Sequence, residues 1–202
     1  MLSYEIPKKP MLTLFLISLI NALIFLSVTF LNLNELESHL SNITNDNKAL
    51  VIGKWIGISI GALSSITGPI FNLIIYSTII WLLLLIITTE ADFKKIFYTG
   101  IKAYIFLLIG NSIKGITNIV IKTDNINYFS LELLNVFFHN EILLNIFKSI
   151  DIFFIIFLST WAYLIFKNSD ERYKKPITIA YSGLLIILTS FNGIASYIAT
   201  NL

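Results

Sequence analysis

Long apolar runs alternate with short polar stretches along the whole chain. Polar stretches such as "EADFKK" and "KNSDERYKKP" are too short to hold a soluble domain. A membrane-crossing helix needs about 20 mainly apolar residues. Five runs meet this requirement: 11–33, 70–89, 99–121, 142–166 and 177–199. The pattern predicts an all-α integral membrane protein, a helical bundle of about five transmembrane helices forming a single transmembrane domain over 1–202.

A sixth apolar segment, 49–67, is joined to the following run through only Gly68 and Pro69. Two residues make a tight connection between antiparallel spans. Proline has no backbone N–H and disfavours helical geometry in the residue before it. The sequence therefore predicts a helix break at Gly68 and Pro69, with an interfacial or re-entrant helix over 49–67.

Small residues recur at a spacing of four in that segment. Gly53, Gly57 and Gly61 fall on one helical face, where bare backbone allows a neighbouring helix to approach closely. We expect this face to serve helix packing within the chain rather than dimerisation. Isolated asparagines in other runs, Asn21 among them, are expected to form hydrogen bonds between helices.

The composition supports a membrane environment and narrows the chemistry. Of 202 residues, 56% are hydrophobic and 13% charged, whereas a soluble domain is about 25% charged. The net charge of +2 is too small to indicate nucleic acid as a partner. The chain has no cysteine, which excludes disulfides and thiolate chemistry.

Lysine and arginine are unevenly distributed between alternate loops. Basic residues in short loops favour the cytoplasmic side of a membrane. Their distribution predicts a cytoplasmic N-terminus and an outside C-terminus, and the abundance of Ile, Asn and Lys favours a bacterial plasma membrane. The predicted cytoplasmic basic contacts are Lys94, Lys95, Arg172, Lys174 and Lys175.

One run contains a polar stripe. At 100° per residue, Asn111, Lys114 and Asn118 lie on one face, and Lys114 is roughly 10 Å deep at 1.5 Å per residue. A lysine at that depth requires a partner, and Asp151 in the next run is a candidate. Two alternatives remain open: a local pair between Lys148 and Asp151 with a snorkelling Lys114, or an intramembrane ion or proton site.

The sequence gives no sign of an enzyme. Its two histidines, His39 and His139, lie near acidic residues in polar stretches but lack the tight spacing of a metal site. Hydrolase, metalloprotease, P-loop and dinucleotide-binding motifs are missing. We therefore predict no catalytic residues, no metal and no cofactor.

The segment 68–110 combines a Gly-Pro pair opening a span, a Phe-Lys segment in a short loop and an early tyrosine in the next span. The residues that form this pattern are Gly68, Pro69, Phe93 and Tyr104. In these features the segment resembles the central pattern of the Yip1 family of small polytopic membrane proteins.

A second segment, 150–166, is similar to the family's later Asp-x-Phe motif through Asp151 and Phe153. The sequence departs from the pattern at Thr89 and Glu90, where glycines are usual, and in its tryptophan, which is displaced to Trp161. The resemblance implies a bundle of about five spans, with eukaryotic relatives in vesicle trafficking and no catalytic residue to carry over.

Two functions compete at this point. The first is a non-enzymatic membrane protein that acts through contacts with membrane lipids, other membrane proteins or a second copy of itself. The second is a small transporter or channel subunit that uses the polar stripe of Asn111, Lys114 and Asn118 with Asp151. We favour the first because the chain lacks an inverted repeat: the Gly-Pro break has no counterpart in the later half.

Overall fold

The protein is all-helical in the part of the chain that the structure, a computed structural model, describes. These residues are 9–33, 47–88, 91–121, 129–130, 150–167 and 169–201, and they contain no β-strand. The helices are α1 (Pro10–Leu31), α2 (Asn47–Thr88), α3 (Phe93–Ala103), α4 (Ile105–Ile121), α5 (Ile152–Phe166) and α6 (Glu171–Asn201).

Four of the described helical segments are long and apolar enough to cross a membrane. They are Pro10–Leu31, Lys48–Thr88, Phe93–Val120 and Glu171–Ala195. Each presents large apolar side chains on its outer surface, for example Ile86 at 79% exposure and Val120 at 73%. Outward-facing apolar surface on this scale fits burial in lipid. The helical character predicted from the sequence is confirmed for the described residues, with four helices that could cross a membrane.

The predicted break at Gly68 and Pro69 is wrong. Helix α2 runs without interruption for 42 residues and contains Pro69 in its interior. At 1.5 Å per residue it is about 63 Å long, roughly twice the hydrocarbon core of a bilayer. The segment 49–67 is therefore not a separate interfacial or re-entrant helix, and the run 70–89 is the second half of α2.

Helix α5 begins later than the predicted run 142–166. It starts at Ile152, is 15 residues long and is shorter than the four candidate spans. Asp151 precedes its first turn and forms an isolated antiparallel bridge with Ser130. Residues 131–149, including Lys148, lie outside the described part of the chain.

The chain divides into two compact units. The asparagine unit comprises the described residues of Met11–Asn72 and Leu108–Asp124, and so contains α1, the first part of α2 and most of α4. Successive contacts give the helix directions: Asn21 reaches Ser65 while Phe25 lies against Gly61, so α1 and α2 are antiparallel. Asn21 of α1 bonds to Asn111 of α4, and farther along both helices Val28 lies against Gly115, so α1 and α4 are parallel.

The aromatic unit comprises the described residues of Met1–Pro10, Leu73–Leu107 and Asn125–Leu202. Within it, α5 packs against both α3 and α6. Trp161 and Phe157 of α5 are fully buried at the centre of this packing, with ring centroids 5.2 Å apart. Tyr104, which separates α3 from α4, meets Phe157 edge-on at 5.7 Å.

Candidate functional site

A hydrogen bond between α1 and α2 explains how α2 tolerates a proline. Pro69 has no N–H to donate to the carbonyl four residues earlier, which belongs to Ser65. The Asn21 side chain supplies a donor instead: its Nδ2 lies 3.0 Å from the Ser65 carbonyl oxygen. A neighbouring helix that bonds the freed carbonyl is one way in which membrane helices accommodate proline.

Asn111 of α4 extends this hydrogen-bonded network to a third helix. Its Nδ2 donates to Oδ1 of Asn21 at 3.0 Å. Asn21 thus accepts from one helix and donates to another, which orients its amide group. The Asn111–Asn21–Ser65 network joins α1, α2 and α4, as we predicted for isolated asparagines.

Glycines allow α1 to approach both of its neighbours. A Cβ atom built on Gly115 would lie 3.0 Å from Val28 Cγ2, and one built on Gly61 would overlap the Phe25 ring. A Cβ built on Gly57, by contrast, would have no described atom within 4 Å. Of the predicted packing glycines, Gly61 is in contact with α1 and Gly57 faces open space.

The structure places the predicted polar stripe on the side of α4 that meets α1. Asn111 and Gly115 both contact α1. Lys114 and Asn118 lie next to them along the helix, each partly buried. Asn111 therefore serves helix association, while the role of Lys114 and Asn118 as an ion or proton path stays a prediction.

Asp151 has a local structural role. Its Oδ1 accepts a hydrogen bond from the Phe153 backbone N–H at 2.7 Å, and its backbone is extended, so it caps the N-terminus of α5. An N-cap side chain satisfies one of the helix's unpaired N–H groups. This role accounts for the residue without a functional ion site, and its pairing with Lys114 stays a prediction.

Trp161 fixes the packing of α3 against α5. Its indole Nε1 donates to the Ile96 carbonyl oxygen at 3.0 Å. The ring lies against Gly100, where a Cβ would be only 2.6 Å from Cζ2. Helix α3 therefore requires glycine at position 100 for the tryptophan to reach it.

The ends of four helices line an open cavity of about 390 Å³ in the aromatic unit. One buried aliphatic residue from each helix lines it. These residues are Leu84 of α2, Ile96 of α3, Ile165 of α5 and Ile177 of α6. The volume falls within the range of about 300–1,000 Å³ that is usual for small-molecule pockets.

Charged and polar groups line the same cavity closer to its surface. Asp92 precedes α3, and Lys95 lies in its first turn; Asp170 precedes α6, and Arg172 lies in its first turn. All four side chains are exposed or partly buried. Asp92 caps α3 by accepting from the Lys95 N–H at 3.3 Å. We call this set of four residues the charged rim.

Opposite charges lie close together in the charged rim. Burial partly desolvates the Lys95 ammonium group, which disfavours its charged form, and the carboxylates of Asp92 and Asp170 partly offset this effect. The Arg172 guanidinium lies 4.7 Å from the centroid of the Tyr173 ring, which also lines the cavity. The rim thus combines two basic and two acidic side chains in one opening.

The predicted cytoplasmic basic contacts have different surroundings. Lys95 and Arg172 line the cavity, whereas Lys94 is exposed and lies 5.7 Å from the Tyr98 ring centroid. Lys174 forms an ion pair with Glu171, and Lys175 is exposed. All belong to the two short segments that meet at this end of the aromatic unit.

Sequence reasoning missed the acidic half of this rim. Asp92 and Asp170 stand in "EADFKK" and "KNSDERYKKP", beside the lysines that we singled out. The available signal was the mixed charge of both segments. Their meeting around one cavity depends on the packing of α3 and α6 against α5.

The described residues contain no group of three or more side chains suited to hold a metal ion. The two histidines lie outside them. No family model, no curated protein and no solved structure matches this chain.

Proposed function

We propose that this chain is a non-enzymatic, multi-pass membrane protein that acts through contacts with membrane lipids or other membrane proteins. The observation that carries the proposal is the end of the aromatic unit, where exposed Lys94 and Lys175 accompany a cavity with a charged rim. The resemblance to the Yip1 family supports a role in membrane organisation or trafficking.

The proposal places this end of the aromatic unit in the cytoplasm. Basic residues concentrate in the segments that follow α2 and precede α6, which favours that side. Because α2 is one continuous helix, we count it as a single crossing, which keeps Lys94 and Lys95 on the predicted side. The N-terminus would then be cytoplasmic and the C-terminus outside, in a bundle of about five crossings.

The asparagine network supports contact over transport. Asn111 is the most cytoplasmic residue of the polar stripe, and its amide is engaged with Asn21. A polar group that joins two helices is less available to a moving substrate. Transport makes a separate prediction, which is substrate-dependent flux in proteoliposomes that is lost in Lys114→Leu.

Crosslinking in intact membranes tests the proposal. The tagged protein would be expressed at native abundance, crosslinked, purified mildly and examined by mass spectrometry for stoichiometric partners. We expect a partner whose recovery falls when Lys94 and Lys95 are changed to Gln, or when Arg172, Lys174 and Lys175 are changed to Gln. These substitutions remove charge from the proposed docking surface while leaving the spans intact.

Lys48→Gln is the matched control, because Lys48 is an exposed lysine at the start of α2, on the side predicted to be outside. It should leave partner recovery unchanged. Recovery of the protein alone, together with flux that depends on Lys114, would contradict the proposal.

A further inference from the structure

The cavity in the aromatic unit is amphipathic. Its inner wall is aliphatic, contributed by Leu84, Ile96, Ile165 and Ile177, and its opening carries the charged rim. Water forms no hydrogen bonds with an aliphatic wall, and a wholly apolar ligand would remove water from the charged groups without offering them a polar contact. The lining therefore suits a molecule that has a charged end and an apolar end.

The charges of the rim are balanced. Lys95 and Arg172 contribute two positive charges, and Asp92 and Asp170 contribute two negative charges. A purely anionic ligand would be attracted by the bases and repelled by the carboxylates, and a cationic ligand would meet the opposite conflict. A zwitterion with separate anionic and cationic groups avoids both conflicts.

The individual groups match the two halves of such a ligand. A guanidinium binds phosphate oxygens in a planar, two-point geometry, and the Tyr173 ring supports Arg172 at 4.7 Å. On the acidic side, the carboxylates of Asp92 and Asp170 both line the cavity and can accept hydrogen bonds from an ammonium group.

We propose that this cavity binds the headgroup of a zwitterionic phospholipid. Its phosphate is held by Lys95 and Arg172, its ammonium group by Asp92 and Asp170, and the adjoining glycerol and first chain carbons contact the aliphatic wall. This inference rests on the proposed function, since it names one membrane lipid class through which the protein acts.

Competitive native mass spectrometry of the purified full chain in detergent tests the inference. The probes are phosphatidylethanolamine and phosphatidylglycerol with identical acyl chains, added in equal amounts. We expect retained phosphatidylethanolamine to exceed phosphatidylglycerol by about tenfold, the effect of one hydrogen bond to a charged group. Lys95→Met should abolish retention, whereas Lys94→Met, a change at the adjacent residue outside the cavity lining, should not.

A second variant changes selectivity without removing helix caps. Asp92→Asn combined with Asp170→Asn leaves the two bases in place, and asparagine at position 92 caps α3 as well as aspartate does. The rim then carries net positive charge. We expect the preference to reverse in favour of phosphatidylglycerol, a result that misfolding would not produce.

Glycerophosphoethanolamine, the soluble headgroup without acyl chains, separates a lipid site from a site for a free zwitterion. It should compete far less than the intact lipid. Equal competition, or equal lipid retention in Lys95→Met and Lys94→Met, would overturn the inference. A crosslinked partner without lipid selectivity would leave the proposed function standing, whereas Lys114-dependent flux without a partner would remove the proposed function itself.

Discussion

Asn21 and Pro69 should be energetically coupled, because the asparagine supplies the donor that the proline lacks. In Asn21→Leu the Ser65 carbonyl loses the side-chain amide that lies 3.0 Å away. Leucine has nearly the shape of asparagine, so the change is mainly the loss of hydrogen bonds. In Pro69→Ala, position 69 regains an N–H that bonds the same carbonyl within α2.

The structure sets the size of the expected effect. An unsatisfied buried acceptor costs about 1–3 kcal/mol, and hydrogen bonds between membrane helices average about 0.6 kcal/mol with a maximum near 1.7. We expect Asn21→Leu to lower the free energy of unfolding by about 1–2 kcal/mol in the native background. With Pro69→Ala the cost should fall by about 1 kcal/mol, because the carbonyl keeps one donor.

A double-mutant cycle measures this coupling. The four proteins would be unfolded reversibly with sodium dodecyl sulfate in mixed micelles and followed by far-ultraviolet circular dichroism. Loss of the Asn111 bond to Asn21 occurs in both backgrounds and cancels. Asn118→Leu, on the same face of α4 as Asn111, is the control and should add to Pro69→Ala. If Asn21→Leu lowers the free energy of unfolding by the same amount, within about 0.3 kcal/mol, in the native and the Pro69→Ala backgrounds, the compensation is refuted.

Two further predictions concern the packing of Gly100 against Trp161 and the N-terminal cap on α5. Gly100→Ala should destabilise the protein by about 1–3 kcal/mol, because the added carbon meets the Trp161 ring; Gly57→Ala, in open space, should be neutral or stabilising by up to about 1 kcal/mol in the same assay. Asp151→Ala should cost about 0.5–2 kcal/mol through loss of the cap on α5, whereas Asp151→Asn should retain most stability. Equal losses in Ala and Asn would indicate that the charge, rather than the cap, matters.

The apolar runs were sufficient to predict helices that are long and apolar enough to cross a membrane, since lipid requires every backbone group to bond within its own segment. Spacing along α4 also grouped Asn111 with Lys114 and Asn118 on one face, but it did not indicate that Asn111 bonds to Asn21 of α1. The continuity of α2 was beyond the local sequence. Pro69 disfavours a helix by itself, and the donor that offsets it belongs to Asn21, 44 residues before Ser65.

The charged rim was unpredictable for a related reason. Its residues come from two segments nearly 80 positions apart, and each segment alone reads as a hydrated loop with mixed charge. Only the packing of α5 against α3 and α6, centred on Trp161, brings the segments to one cavity. Asp151 is the opposite case. Its depth in an apolar run suggested an ion pair, but α5 begins only at Ile152, which makes Asp151 the cap of that helix.

The central claim is that the protein acts through contacts at the end of the aromatic unit. A photoreactive amino acid placed at position 175, which is exposed beside the charged rim, tests it most directly in intact membranes. Position 191, where Phe191 is 70% exposed on an apolar helix, is the reference for contact with bulk lipid. The account predicts adducts of discrete mass at 175 that are absent at 191. The same diffuse lipid products at both positions would contradict it.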